Sequence, residues 1–256
     1  MKKMLVFALL LVVTSASVVF SQNVDNETIV NAEKMRDEGR KLYKSGQFDA
    51  SIVKYDESLI INETATTHYL KGISQLKLSK KQDAIQSFDK AIILDPNLKG
   101  AYSAKGSSLL SLKKFDLAIE SYNMYLEKST DKKKNSKIKG KIATAYTKLA
   151  NVAKRDGKHK KAIDYLNKAV DNYKFDSAYL TLAEIYIELA KYNEALSAAD
   201  NAINNRKKTP KGAGYYYKGL AFKGLENKEK AIESFKVSIK DKSYKALSEY
   251  ELKQMK

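Results

Sequence analysis

Beyond residue 21 the chain is built from apolar and polar positions with helical rather than strand spacing. Small and apolar side chains recur three and four apart, as in Ala84, Phe88 and Ala91, the period of an amphipathic helix that buries one face. The same arrangement occurs six times. Its first small residue is Ser51, Ala84, Ala118, Ala162, Ala195 or Ala231, at spacings of 33, 34, 44, 33 and 36. Four positions later stand Tyr55, Phe88, Tyr122, Leu166, Ala199 and Phe235, and three further on Ser58, Ala91, Tyr125, Ala169, Ala202 and Ser238. Twelve positions before the first residue sit Gly39, Gly72, Gly106, Ala150, Ala183 and Gly219. Self-similarity at such a period marks a repeat array rather than a single closed core.

Each unit holds two amphipathic stretches of about fourteen residues, helices of about 21 Å at 1.5 Å per residue. A polar or glycine-containing break separates them, Lys44-Ser45-Gly46-Gln47 in the first copy and Asp156-Gly157-Lys158 in the fourth. The small residues let two helices approach, and the aromatic one turn later fills the groove beside them. One such hairpin cannot bury its apolar face alone, so neighbours must stack. The expected fold class is all-α, an α-solenoid of about six helix-turn-helix repeats. The 44-residue spacing places a lysine-rich connection at 131–142, or lets the first helix of copy four start early near Ser136, with repeats 1–3 over 22–130 and repeats 4–6 over 143–245. Tyr244, Leu247, Tyr250 and Leu252 among charges point to a C-terminal capping helix, with the cap placed at 246–256.

At these residues the chain resembles the tetratricopeptide repeat family. The second copy carries the resemblance best, from Thr66 through Gly72, Ala84, Phe88 and Ala91 to Asp95-Pro96, where proline ends the second helix. The fourth and fifth copies depart from the pattern with Ala150 and Ala183, and the fifth again with Ala199. The resemblance implies a concave surface lined by the first helix of each repeat, here Arg36, Arg40 and Tyr43, then Tyr69, Ile73 and Leu76. Leu110, Asn151 and Tyr216 continue it through later copies. It also implies a test for the two-carboxylate clamp that some members use. Those positions read Arg36, Arg40, Ile73, Gly100 and Ala104, so the clamp is absent. The implied partner is another protein or peptide segment with apolar anchors and an acidic flank.

Charge changes the picture in one place. The chain carries 47 Lys+Arg against 30 Asp+Glu, a net charge of +17. Residues 22–127 balance, with 15 of each sign, whereas residues 128–161 hold 13 basic and 2 acidic groups. Lys132, Lys133, Lys134, Lys137 and Lys139 form the centre of that patch. It is read either as a solvated loop and turn or as a contact with an anionic membrane or cell-wall surface or an acidic partner. No aromatics interleave these lysines, so nucleic acid is not expected as a partner.

Residues 1–21 read as a secretory signal: Lys2 and Lys3, an apolar run Met4–Val13, then small residues Thr14–Ser17. Cleavage after Ser21 or after Ala16 competes with an uncleaved anchor, and the short apolar run favours cleavage. Export of a chain with 0 Cys fits a bacterial envelope, periplasmic or envelope-associated, better than a disulfide-stapled domain.

Catalytic chemistry finds little purchase. Thiolate chemistry is excluded, and two histidines cannot make a multi-histidine metal centre. His68 occupies a position held by tyrosines in other copies and reads as packing, while His159 lies in the turn Lys158-His159-Lys160-Lys161. The Lys-Gly pairs match no phosphate loop, and Asp37-Glu38 and Asp56-Glu57 read as solvated helix faces. The reading is a non-catalytic binding scaffold with no cofactor and no metal.

Overall fold

The computed structural model describes residues 26–255; the signal segment 1–21 lies outside them. Among the described residues there are thirteen α-helices and no strand. They are α1 (Asn26–Lys44), α2 (Phe48–Ile61), α3 (Ala65–Lys77), α4 (Lys81–Leu94), α5 (Lys99–Ser111), α6 (Phe115–Lys128) and α7 (Lys132–Arg155). The rest are α8 (His159–Asn172), α9 (Asp176–Glu188), α10 (Tyr192–Asn204), α11 (Lys211–Gly224), α12 (Lys228–Ser238) and α13 (Lys245–Lys253).

The first twelve form six antiparallel hairpins, each packed most extensively on itself and then on the next. First helices of successive hairpins also touch, α1 with α3, α3 with α5, α7 with α9 and α9 with α11, and so form the inner layer. This is the all-α solenoid that the repeat spacing predicts.

All six small residues from Ser51 to Ala231 are fully buried, as are the side chains four positions later. The glycines follow from those rings. A Cβ on Gly39, Gly72, Gly106 or Gly219 would lie 2.6–2.8 Å from the ring of Tyr55, Phe88, Tyr122 or Phe235 respectively. Copies four and five carry Ala150 and Ala183 where the facing residues are Leu166 and Ala199, which leave room for a methyl group. The departures are one compensated change, not a weakening of the repeat. Where serine replaces alanine three positions further on, its hydroxyl is satisfied. Ser58 donates to the Ala32 carbonyl (2.8 Å) and Ser238 to that of Gly212 (2.9 Å).

Every first helix ends alike. A residue in left-handed conformation follows it, Gly46, Ser79, Lys113, Gly157, Ala190 or Glu226, with φ between 54° and 81°. The next N–H reaches back to a carbonyl five residues earlier, from Gln47 to Leu42 (2.9 Å) through Asn227 to Phe222 (2.9 Å). This satisfies the last carbonyls of the helix and turns the chain.

The segment 131–142, expected as a lysine-rich connection, is helical from Lys132. It forms the first three turns of α7, which at 24 residues is the longest helix described. Two causes act. Asp131 caps the helix by accepting from the Lys134 N–H (3.0 Å), and Ile138, Ile142, Ala145 and Leu149 bury one stripe against the core that holds Tyr122 and Tyr125. At the other end, α13 covers the last hairpin, with Tyr244 against Tyr216 (5.5 Å between centroids) and Glu251 paired to Lys223 (2.6 Å).

Candidate functional site

The inner positions of α1, α3 and α5 come together as a half-buried strip. Tyr43 sits edge-on to Phe48 (5.4 Å) and Tyr69 tilts against Phe88 (6.0 Å). Ile73 and Leu76 pack partly on the core of Ala84, Phe88, Ala91 and Ala101, and Leu110 packs on the next cluster. Tyr69 also explains a missing clamp position, because a Cβ on Gly100 would lie 3.3 Å from its Cζ and hydroxyl. Burial, with the nearby Tyr43, raises the Tyr69 phenol above its ordinary range, so this ring presents a neutral hydroxyl. Each of these side chains has one edge in the core and another at the surface, an anchored apolar contact with little freedom to lose on binding.

The basic end of the strip lies on α1. Arg36 donates to Glu33 (3.0 Å) and Arg40 to Asp37 (3.3 Å), both one turn back in α1. Each pairing uses one N–H of a guanidinium that carries five, and the acceptors Glu33 and Asp37 are exposed, so both groups keep donors for a partner. Asn151 is exposed on α7. Tyr216 belongs to an aromatic cluster with Tyr217 (5.6 Å), Phe235 (5.9 Å) and Tyr244, at the far end of the array. Of the nine inner residues, seven lie on α1, α3 and α5, Asn151 lies on α7 and Tyr216 on α11.

The patch lysines Lys132, Lys133, Lys134, Lys137 and Lys139 are all exposed on the first turns of α7. Among the described residues only Lys134 of the five has a carboxylate within reach, Asp131 at 3.3 Å. His68 is buried, with Nε2 2.8 Å from Glu63 Oε1. His159 Nδ1 stands 3.7 Å from Glu188, a partner far away in sequence. Among the described residues no group of three or more His, Cys, Asp or Glu is placed to hold a metal ion.

Comparison with known proteins bears on what this surface belongs to. One sequence profile of the tetratricopeptide repeat matches residues 36–99 and 69–133, and a second matches 143–174 and 176–209. Together they cover more than half of the 256 residues. The chain is a tetratricopeptide repeat protein. Among its relatives is a TPR repeat-containing protein of Methanocaldococcus jannaschii, 25% identical over 224 residues, or 82% of this chain and 37% of that protein. The Hsp70-Hsp90 organizing protein of Triticum aestivum is 24% identical over 238 residues, 82% of this chain and 41% of its own length. This tetratricopeptide repeat protein therefore spans about two-fifths of the length of the curated relatives it matches. Among solved structures, YrrB is described as a TPR protein with an unusual peptide-binding site. It superposes with a TM-score of 0.51 at 19% identity, over 78% of this chain and 97% of YrrB. The MamA protein gives 0.50 at 21% identity, over 72% and 94%. At these identities the likeness establishes the fold.

Two features of this repeat protein escaped the sequence reading. The Lys-Gly pairs bridge hairpins: Lys71 reaches Asp56, Lys105 reaches Asp89 and Lys218 reaches Asp200, at 2.5, 2.5 and 2.8 Å. The readable signal was an Asp directly after the ring position, 15, 16 or 18 residues before the lysine. The second is Asp176, which is fully buried. Its Oδ2 accepts from the backbone N–H groups of Lys207 (2.7 Å), Lys208 (2.8 Å) and Thr209 (3.1 Å) and from the Thr209 hydroxyl (3.1 Å). Burial alone would raise this carboxyl, but the backbone donors win and hold it at about 2. It clasps the α10–α11 connection to the start of α9.

Proposed function

We propose that this protein is an exported, non-catalytic interaction scaffold of a bacterial envelope that holds a segment of a partner protein against its inner surface. One observation carries the reading: Tyr43, Tyr69, Ile73, Leu76 and Leu110, half-buried and exposed along one edge, lie on three successive inner helices. Such a strip suits an extended or helical segment read through apolar anchors. Membership of a family that includes Hsp70-Hsp90 organizing proteins supports a scaffolding role. Export rests on the layout of residues 1–21. Arg36 and Arg40, each with donors beyond its pairing within α1, support an acidic flank on the bound segment.

The test is capture of partners from envelope extract by the wild type, by Tyr69→Ala/Ile73→Ala/Leu76→Ala, and by a variant with the five patch lysines changed to Glu. The inner-surface reading expects one protein to be retained by the wild type and the patch variant and lost by the triple variant. Equal retention by all three would sink it.

A second reading has its own observation, the exposed Lys132, Lys133, Lys137 and Lys139 with no carboxylate within 4.0 Å among the described residues. These would hold an anionic membrane or wall surface. Sedimentation with anionic vesicles should then fade as salt rises past about 0.15 M, where the screening length is about 8 Å. Salt-independent sedimentation, or none, contradicts that reading.

A further inference from the structure

Antiparallel hairpins stacked side by side give the array two long edges. One carries the turns within hairpins. The other carries the connections between hairpins, and with them the start of each first helix. These edges differ in charge. Around the last two hairpins the turns 188–194 and 223–230 hold four basic and four acidic residues, whereas the connections 204–211 and 239–245 hold seven basic residues and one acid, Asp241. All seven cations are exposed. The start of α7, with its five exposed patch lysines, follows the α6–α7 connection and so stands on the same edge.

Acids on this edge are turned onto the backbone. Asp131 caps α7 and Asp176 clasps residues 207–209, while Asp241 accepts from the N–H groups of Gly212 (2.9 Å) and Ser243 (3.0 Å). Three of the cations have a neighbour: Lys134 meets Asp131 (3.3 Å), Lys207 the Tyr173 hydroxyl (2.7 Å) and Lys245 Glu249 (4.0 Å). The other nine have no carboxylate within 4.0 Å among the described residues. The edge is therefore a strip of solvated positive charge spread over hairpins four to six, and it concentrates anions along its whole length.

Helix α13 begins on this edge and is apolar on the side turned away from the array. A terminal element of a repeat array ordinarily presents a polar outer face. Here Ser248 and Glu251 are buried, whereas Leu247 and Tyr250, one turn apart, are 48% and 61% exposed. Ala246 is exposed beside them, and Lys245 and Lys253 flank the group. Two of the four side chains read from the sequence as packing of the cap thus stay outside it.

Cations and exposed apolar side chains on one edge select the surface that covers them. A soluble polyanion would meet the charge and leave Leu247 and Tyr250 in water. A bilayer with anionic headgroups takes both, because lysines meet the phosphates while leucine and tyrosine enter the boundary between headgroups and acyl chains. We propose that this protein lies on an anionic membrane by its connection edge, from the start of α7 to α13, with Leu247 and Tyr250 inserted. The proposal rests on the second reading above and extends it from five lysines to an oriented face. Contact through the edge leaves the inner surface open to a partner segment.

Sedimentation of the full chain with mixed phosphatidylglycerol–phosphatidylcholine vesicles tests it, with pure phosphatidylcholine measuring any binding by residues 1–21. The triple variant Arg206→Glu/Lys208→Glu/Lys211→Glu changes exposed side chains and leaves the clasp, which uses backbone N–H groups, in place. It should bind at least about tenfold more weakly. Lys158→Glu/Lys160→Glu/Lys161→Glu removes the same charge from the opposite edge and should bind as the wild type does. Leu247→Ser/Tyr250→Ser should weaken binding by about threefold or more. The chain has 0 Trp, so Tyr250→Trp supplies a single reporter whose emission should shift to the blue on these vesicles. Equal weakening by the two charge triples would overturn the proposal, because net charge rather than this edge would then bind. Loss confined to the five-lysine patch variant would leave the second reading standing and overturn the oriented face. Unchanged binding in Leu247→Ser/Tyr250→Ser, with no emission shift in Tyr250→Trp, would mean a contact by charge alone, as with a wall polymer, and would overturn the bilayer. Absence of sedimentation by the wild type overturns both readings.

Discussion

Gly72 is glycine because Phe88 lies against it, and the pairing repeats along the chain. Glycine faces Tyr55, Phe88, Tyr122 and Phe235, and alanine faces Leu166 and Ala199. Gly72→Ala should therefore cost about 1–3 kcal/mol, the usual range for overpacking a core. Phe88→Leu in the same molecule should recover part of that loss, as a double-mutant cycle of urea midpoints would show. Additive effects would contradict the pairing. Asp176 makes a second prediction at this scale. Its carboxyl is held at about 2 against an ordinary 3.8, so it stabilises the folded state above pH 3.8 and loses that contribution as pH falls toward 2. Allowing for solvent screening, the contribution is roughly 1–2 kcal/mol. Asp176→Asn should lower stability at neutral pH by that order and flatten the acid limb of the stability profile. An unchanged acid limb would show that the clasp does not hold the connection. The glycine and ring positions were legible as a pattern in the sequence. Their coupling was not, because only packing brings together residues sixteen apart.

The hairpin turn is the element on which the array is repeated, and four of its six left-handed positions carry a side chain, Ser79, Lys113, Ala190 and Glu226. That conformation costs a non-glycine residue about 1–2 kcal/mol, partly offset by glycine's larger entropy when unfolded. Lys113→Gly and Ala190→Gly should each raise the urea midpoint by the equivalent of about 0.5–1 kcal/mol with an unchanged slope. A lowered midpoint would mean that these side chains contribute more than their backbone strain removes. Helix α7 starts at Lys132, earlier than either the connection at 131–142 or a helix start near Ser136 allowed. Thirteen basic residues in 128–161 and the 44-residue spacing pointed to a connection, yet lysine is a good helix former. Ile138, Ile142, Ala145 and Leu149 already carried the helical period inside that charge. The apolar stripe, not the net charge, decides the element.

Across the whole molecule, each hairpin packs on its neighbours alone, so stability is a sum of hairpins and junctions. Lys-Asp bridges span the junctions between hairpins one and two, two and three, and five and six. Removing α13 by ending the chain at Asp241 uncovers Tyr216 and leaves Lys223 without Glu251. Hydrogen exchange should then show lost protection in α11 and α12 with α3 to α6 unchanged; uniform loss would mean the array unfolds as one unit. The solenoid was legible from the repeat because burial follows from spacing. The Asp176 clasp was not, because Asp176 and Lys207 are 31 residues apart and only the folded chain brings them together. The inner strip follows the repeat spacing: α1, α3 and α5 place Tyr43, Tyr69, Ile73, Leu76 and Leu110 in line, with Arg36 and Arg40 on α1 beside them. The most direct test of that strip as the partner surface is site-specific photo-crosslinking in intact cells. A photoreactive phenylalanine analogue would replace Tyr69 in one protein and Ile60, 85% exposed on the outer helix α2, in another. A discrete cross-linked partner from position 69 and none from position 60 is the predicted result. The same partner captured equally from both, or from position 60 alone, would contradict the assignment of the inner surface.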